Sequence, residues 1–275
     1  MSTPIPSKMH APGSASISSG SVPRDAIVAA PGAAPGAAGL VGAPAAAASP
    51  ASGAASVMDR LRAETREAHV RTEAVPFSAA MVGGTLPLDR FVGQLAAYLP
   101  VHRALESVLS ASNDPAVRLV WRDELAKTPL LERDLAHFSS IGVEPSDAGT
   151  AAARRFVEWI GEVARNDPSA LLGVLYVLEG STLGAAVLRG HLERAYGERA
   201  FGSRSGSGAG TEVAPGLAYY SPYGLSPMPS WAQFKARMNA AIVDRAMQDR
   251  AVAAASETFR RIGEILAALS VGLPR

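Results

Sequence analysis

Leu175-Tyr176-Val177-Leu178-Glu179-Gly180-Ser181-Thr182-Leu183-Gly184-Ala185-Ala186 is the stretch on which the fold of this chain turns. It lies inside a long apolar segment that Asp167-Pro168 opens and that runs to about Tyr196, with Gly197 as its stop. A helix that is apolar on every side belongs in the middle of a domain. Gly180 and Gly184 are one turn apart, and Gly173 stands seven residues before Gly180, so one stripe of the helix is bare of side chains. Each interior glycine costs about 1 kcal/mol relative to alanine, so the stripe needs a reason. One reason is a seam for close helix packing; the other is approach of the backbone to a flat ligand. Spacing alone leans slightly to packing. Ser181 and Thr182 add hydroxyls able to hold water beside the stripe.

Outward from this segment the pattern stays helical. Ser56 caps a helix from Val57 to about Ala74. Thr85 caps a second from Pro87 to about Ser110, with a kink expected at Pro100. Asp114-Pro115 starts a short helix, and Leu130 to Ile141 and Thr150 to Arg165 follow. Gly202 to Gly210 is a Gly/Ser loop, and irregular sequence continues to Pro229; a loop of that length is functional or mobile. Ser230 caps a helix through Trp231, Phe234, Met238 and Ile242, and Ala251 to Leu269 closes the chain with Phe259, Ile262, Ile265, Leu266 and Leu269 inward. There is neither an alternating strand pattern nor an internal repeat. The expected fold is all-α, a single domain of about eight helices over 57–275.

Residues 1–56 read as a disordered tail. They are mainly Ala, Gly, Pro and Ser, carry no aromatic residue, and have only Lys8, Arg24 and Asp25 as charges. Such a segment buries too little apolar surface to offset its ordering entropy. It lacks the pattern of a secretory signal, and prolines interrupt its apolar run, so neither export nor a membrane span is expected. The tail also inflates the 48% hydrophobic content of the 275 residues, of which only 6% are aromatic. A net charge of +1 argues against nucleic-acid or membrane-surface partners. The absence of cysteine excludes disulfides, thiolate metal ligands and a cysteine nucleophile, and fits a cytoplasmic protein. Any metal falls to His, carboxylate or backbone oxygen.

Of the five histidines, His10 lies in the tail, and His102, His137 and His191 read as ordinary solvated or hydrogen-bonded residues. His69 has more context. Leu61, Thr65, His69 and Glu73 share one helix face, and Arg62 stands two turns before the histidine on nearly the same side. A neutral imidazole there could ligate iron while the arginine pairs with a carboxylate of the same ligand. Taken alone, a single helical histidine is more often structural.

Taken together and in order, these segments resemble the heme oxygenase family. Leu61 to Glu73 is similar to the family's proximal helix. Glu179-Gly180-Ser181-Thr182-Leu183-Gly184 is similar to the distal helix of its bacterial, biliverdin-producing members. Arg237-Met238-Asn239 and Glu257-Thr258-Phe259 resemble its last two helices. The resemblance spans about Met58 to Leu269. It implies a heme-oxygenase-type helical domain with His69 as proximal iron ligand and Glu73 as the acidic residue beside it. It further implies Gly180 and Gly184 as the distal glycines, Arg62, Tyr176 and Lys235 as partners of the heme propionates, and Phe259 as a pocket wall. Animal-type members carry an aspartate where this chain has Ser181, so Ser181 and ordered water are the candidates for proton relay.

The implied activity is oxygen-dependent cleavage of heme, as both substrate and cofactor, to biliverdin, iron and CO. With no flavin, nicotinamide or iron–sulfur motif in the chain, electrons come from a separate reductase, ferredoxin or flavodoxin. Glu-Gly-Ser together with Tyr219-Tyr220-Ser221-Pro222-Tyr223-Gly224 reads closer to the kind that supplies biliverdin to a bacterial phytochrome. The alternative is a heme carrier or buffer of the same fold. Thiamin-degrading relatives need a cysteine, and di-iron oxidases need more than the lone Asp134-x-x-His137.

Overall fold

The computed structural model describes residues 55–202, 213–224 and 226–274, with the side chains of Ala186 and Val187 excepted. The expected tail, apart from Ala55 and Ser56, and the Gly202 to Gly210 loop beyond its first residue lie outside the described residues.

The described residues form an all-helical domain without strands. Its α-helices are α1 (Val57–Glu64), α2 (Arg66–Glu73), α3 (Pro76–Val82), α4 (Leu88–Ala111), α5 (Pro115–Val120), α6 (Thr128–Ser140), α7 (Thr150–Asn166), α8 (Leu171–Phe201), α9 (Met228–Ala241) and α10 (Arg245–Leu269). The apolar helix α8 is the centre, buried continuously from Leu171 to Leu178 and packed along α10. Helix α10 also receives α1, α2 and α7, while α4 packs on α6 and α7. No single helix among the described residues is long and apolar enough to cross a membrane; the segments Pro168–Ala185, which begins in the turn before α8, and Leu188–Phe201 pass that test only together and meet at a 60° bend.

The first expected helix is two. Thr65, at φ −98° and ψ 1°, separates α1 from α2. Its buried hydroxyl donates to the Leu61 carbonyl at 2.6 Å, the i−4 back-bond that bends helices. Helix α2, which starts after this break, carries His69. Buried Arg60 ties α1 to α10 through Gln248 and Asp249.

Other helix ends shift for local reasons. Pro87, not Thr85, stands at the N-cap of α4, and the Thr85 hydroxyl turns back to the Ala80 carbonyl. Helix α4 continues through Pro100. Ser230 is not a cap: α9 starts two residues earlier, with Pro229 in its first turn where a proline's fixed φ is pre-set for helix. Helix α10 starts at Arg245, where the Asp244 carboxylate accepts from the Met247 amide. Gly197, at φ 59°, breaks α8 where a stop was expected, and a final turn runs on to Phe201.

The largest departure concerns the region read as loop. Residues 213–224 contain no helix, yet Leu217, Ala218, Tyr219, Tyr220 and Ser221 are buried in the core.

Candidate functional site

A cleft with about 850 Å³ free of protein atoms, part of it open to solvent, lies among α2, α3, α4, α8, α10 and the buried 217–221 strap. Six residues singled out in the sequence line it: His69, Tyr176, Gly180, Ser181, Gly184 and Phe259. Its wall is mostly apolar, with Met81, Leu188, Ile262 and Leu266 among the lining side chains.

His69 projects from α2, and its side chain is 9% exposed. Its Nδ1 lies 3.4 Å from Glu73 Oε2 one turn later. That carboxylate favours the tautomer protonated on Nδ1, which leaves the lone pair on Nε2. Nε2 is buried and has no hydrogen-bond partner. A buried acceptor left unmatched in an apolar cleft is unusual, because desolvating such a group without a partner costs about 1–3 kcal/mol. Phe259 packs edge-on to the imidazole, with ring centroids 5.3 Å apart, and fixes its orientation.

The glycine stripe divides between the two roles its spacing allowed. A Cβ on Gly173 would stand 2.0 Å from the Ala251 carbonyl oxygen, so Gly173 is where α8 and α10 cross with backbones in contact. Gly180 and Gly184, farther along α8, face the cleft instead. Burial pushes the Tyr176 phenol up to about 12, against the opposing influence of Arg62 and a hydrogen bond with Thr65. Arg62 is therefore near Tyr176, though exposed and not itself in the cleft wall. Half-buried Lys235, on α9, is likewise absent from the wall.

The polar wall was not read from the sequence, because it comes from the strap and from α4. The Tyr220 hydroxyl donates to Gln94 Oε1 at 2.7 Å. Burial pushes the Tyr98 phenol up to about 12, its hydrogen bond to Gln94 pulling the other way. The Tyr219 hydroxyl lies 3.2 Å from His102 Nε2. The run of tyrosines at 219, 220 and 223 was the one available signal, since aromatic residues in an irregular segment seldom stay exposed.

Asp134 holds the strap in place. Fully buried on α6, it accepts from the Ala218 and Tyr219 amides, each at 2.8 Å. Burial raises its carboxyl to about 6 even though those two amides pull it down. The folded state thus binds this proton more tightly than the unfolded chain. The group's contribution to stability is complete below its ordinary value near 4 and is lost as pH rises through about 6. Urea midpoints measured between pH 4 and 7 are expected to carry this downward component in the parent chain and to lack it in Asp134→Asn. Identical pH slopes in the two proteins would count against it. His137, the other half of the Asp-x-x-His spacing, has its Nε2 2.7 Å from the Ala200 carbonyl. No cluster of three or more His, Asp or Glu suited to a metal ion occurs among the described residues.

The family model for heme oxygenase matches residues 55–268. The chain belongs to the heme oxygenase family. Heme oxygenase 1 of Gallus gallus is 25% identical over 203 residues, which cover 72% of this chain and 64% of that protein, so the chain spans just under two thirds of that relative. Among solved structures, heme oxygenase-1 from the cyanobacterium Synechocystis sp. PCC6803 in complex with heme aligns with a TM-score of 0.65 at 20% identity, covering 80% of this chain and 94% of that one. Heme oxygenase from Leptospira interrogans aligns at 0.64 and 19%, covering 78% and 99%. At these identities the structural matches establish the fold.

Proposed function

We propose that this heme oxygenase family member cleaves heme to biliverdin with release of iron and CO, using O₂ and electrons from a ferredoxin, flavodoxin or reductase. The observation that carries the reading is His69 Nε2, a buried nitrogen without a partner in an apolar cleft that Gly180 and Gly184 also line. These residues fit heme: a neutral imidazole suits iron, and side-chain-free backbone suits a flat ring. Bound heme supplies both the ring to be opened and the iron that activates oxygen.

The chain's residues do the rest. His69 holds the iron, and Glu73, against Nδ1, orients the imidazole. Phe259 walls the ring, and Gly180 and Gly184 bring α8 backbone close to it, with Ser181 between them. Arg62, Tyr176 and Lys235 meet the propionates near the cleft edge; for Lys235 this requires the side chain to reach in from α9. The Glu179-Gly180-Ser181 pattern supports a biliverdin-producing bacterial subtype and, with Tyr219 to Gly224, delivery of product to a phytochrome, and a chain without cysteine suits a cytoplasmic setting. In the same reading residues 1–56 are a tail and 57–275 the catalytic domain.

The test adds heme, a reducing system and air to the full chain and follows the Soret band. Loss of the band with appearance of biliverdin is expected. A Soret band unchanged after sustained reduction would reduce the protein to a heme carrier. His69→Ala is expected to abolish the normal ferric heme spectrum; an unaltered spectrum in that variant would remove His69 as the ligand.

A further inference from the structure

Ser181, the hydroxyl expected to handle protons, donates to the Leu178 carbonyl of its own helix at 2.7 Å and is also hydrogen-bonded to a phenol. The phenol beside it is Tyr219, which lines the same cleft. Behind Tyr219 stands a second row of groups that the reaction as described above does not use. His102 Nε2 is 3.2 Å from the Tyr219 oxygen, and His102 Nδ1 is 3.7 Å from Glu106 Oε1. The His102 and Glu106 side chains are 4% and 13% exposed. Glu106 also accepts from the Lys127 and Thr128 amides at 2.7 and 3.1 Å, which anchors it at the start of α6. A small cavity that His102, Glu106, Lys127 and Glu179 line together with mostly apolar side chains adjoins the imidazole.

Carboxylate, imidazole and hydroxyl in line are the arrangement by which a base is fixed in one tautomer and a hydroxyl in one direction. We propose that Tyr219 is the working hydroxyl of the cleft and that His102 and Glu106 are its positioning residues, so that the phenol donates to His102 and turns its oxygen toward the cleft as an acceptor for water.

The charges around the imidazole support this polarity. His102 is lowered by burial and by Lys127, against the influence of Glu106 and Glu179, which favours the neutral ring. Hydrogen bonds from His102, Thr128 and Lys127 hold Glu106 below the ordinary carboxylate range despite its burial. An ionised carboxylate 3.7 Å from Nδ1 favours the proton there, which leaves Nε2 to accept from Tyr219. Burial keeps the Tyr219 phenol protonated, well above its ordinary range. Protonating His102 would reverse the bond, with Nε2–H donating to the phenol oxygen and the phenol O–H turned to the cleft. The cleft's polar wall thereby acquires a pH dependence set by His102, with Glu106, Lys127, Glu179, Tyr98 and Tyr219 as the groups around it. The purpose of the arrangement rests on the heme oxygenase reading; its geometry does not.

Two measurements on the full chain test it. In heme-free protein, ¹⁵N-histidine NMR is expected to show His102 neutral and protonated on Nδ1, with its Nε2 resonance moved by Tyr219→Phe. An Nε2-protonated ring, or an Nε2 signal indifferent to Tyr219→Phe, would overturn the proposal. In heme-loaded protein, Tyr219→Phe and His102→Gln are expected to bind heme as the parent does. Each should shift the pH midpoint of the ferric spectrum and slow biliverdin formation about tenfold or more. The double variant should be no slower than the slower single, as for residues acting as one unit. Tyr219→Phe keeps the ring, so the test survives if His102→Gln does not fold. Single variants with the parent's pH midpoint and rate would overturn the inference while leaving the function standing. A parent chain that binds heme without converting it would remove both the function and the triad's purpose, with the NMR result still deciding the geometry.

Discussion

Lys127→Met is expected to destabilise the protein by about 3–5 kcal/mol, the range for removing one partner of a buried ion pair. Lys127 and Glu179 are each 2% exposed and 2.8 Å apart. The ammonium makes three contacts: Glu179 Oε2, the Leu125 carbonyl at 2.7 Å and the Tyr223 hydroxyl at 3.0 Å. Tyr223 in turn donates to Glu179 Oε1 at 2.6 Å. Removing the lysine leaves a carboxylate desolvated at the residue before Gly180. Removing both charges, in Lys127→Met with Glu179→Leu, should recover most of the loss, because well-packed apolar side chains replace a buried pair at little net cost. The Tyr223 hydroxyl and the Leu125 carbonyl are then left short of partners. Urea unfolding of the two variants measures the difference. A single variant as stable as the parent would show that solvent reaches Glu179 and that the pair does not anchor α8.

Gly173→Ala and Gly184→Ala are expected to move in opposite directions, although both replace a glycine of the same helix with its best helix former. At Gly173 the new methyl would meet the Ala251 backbone at 2.0 Å. No side-chain rotation relieves a backbone clash, so α8 and α10 must separate along the crossing at the centre of the domain. The loss should reach the upper end of the overpacking range, about 3 kcal/mol, or roughly 6–12 °C in melting temperature for a domain of this size. At Gly184, which faces the cleft, alanine should add about 1 kcal/mol of helix propensity while weakening heme binding in a Soret titration. If Gly184→Ala destabilises the heme-free protein as much as Gly173→Ala does, the whole stripe is a packing seam, and the division between crossing and cleft is wrong.

That division also marks the boundary between local and global information in this chain. Apolar periodicity, proline and glycine punctuation and capping residues are local properties. They were enough for an all-helical domain, for the long buried helix around Glu179, and for the face of α10 that packs inward, where Phe259, Ile262, Ile265, Leu266 and Leu269 are all buried. Spacing put His69 on one face with Glu73, Gly180 and Gly184 on one bare stripe beside Ser181, and Phe259 on the inward face of its helix; that these residues and Tyr176 serve one site was implied only by the resemblance to the heme oxygenase family. The helix ends at Thr65, Pro87 and Met228 were less legible, since there a side-chain back-bond or a proline competes with the ordinary cap.

What the chain could not disclose residue by residue is which distant groups meet. Glycine looks the same whether it faces Ala251 or a cleft, and His102 reads as an ordinary solvated or hydrogen-bonded histidine with no partner named until Tyr219, 117 positions away, is set against it. The segment around Tyr219 has no periodicity and so looked like loop; Asp134, from another helix, draws it into the core by accepting two of its amides. Local pattern therefore determined the helices and which residues share the His69 and glycine-bearing faces. The polar wall, the buried ion pair and the split role of the glycine stripe were decided only by tertiary packing, because hydrogen bonds and close contacts depend on distance in space and leave no period in the sequence.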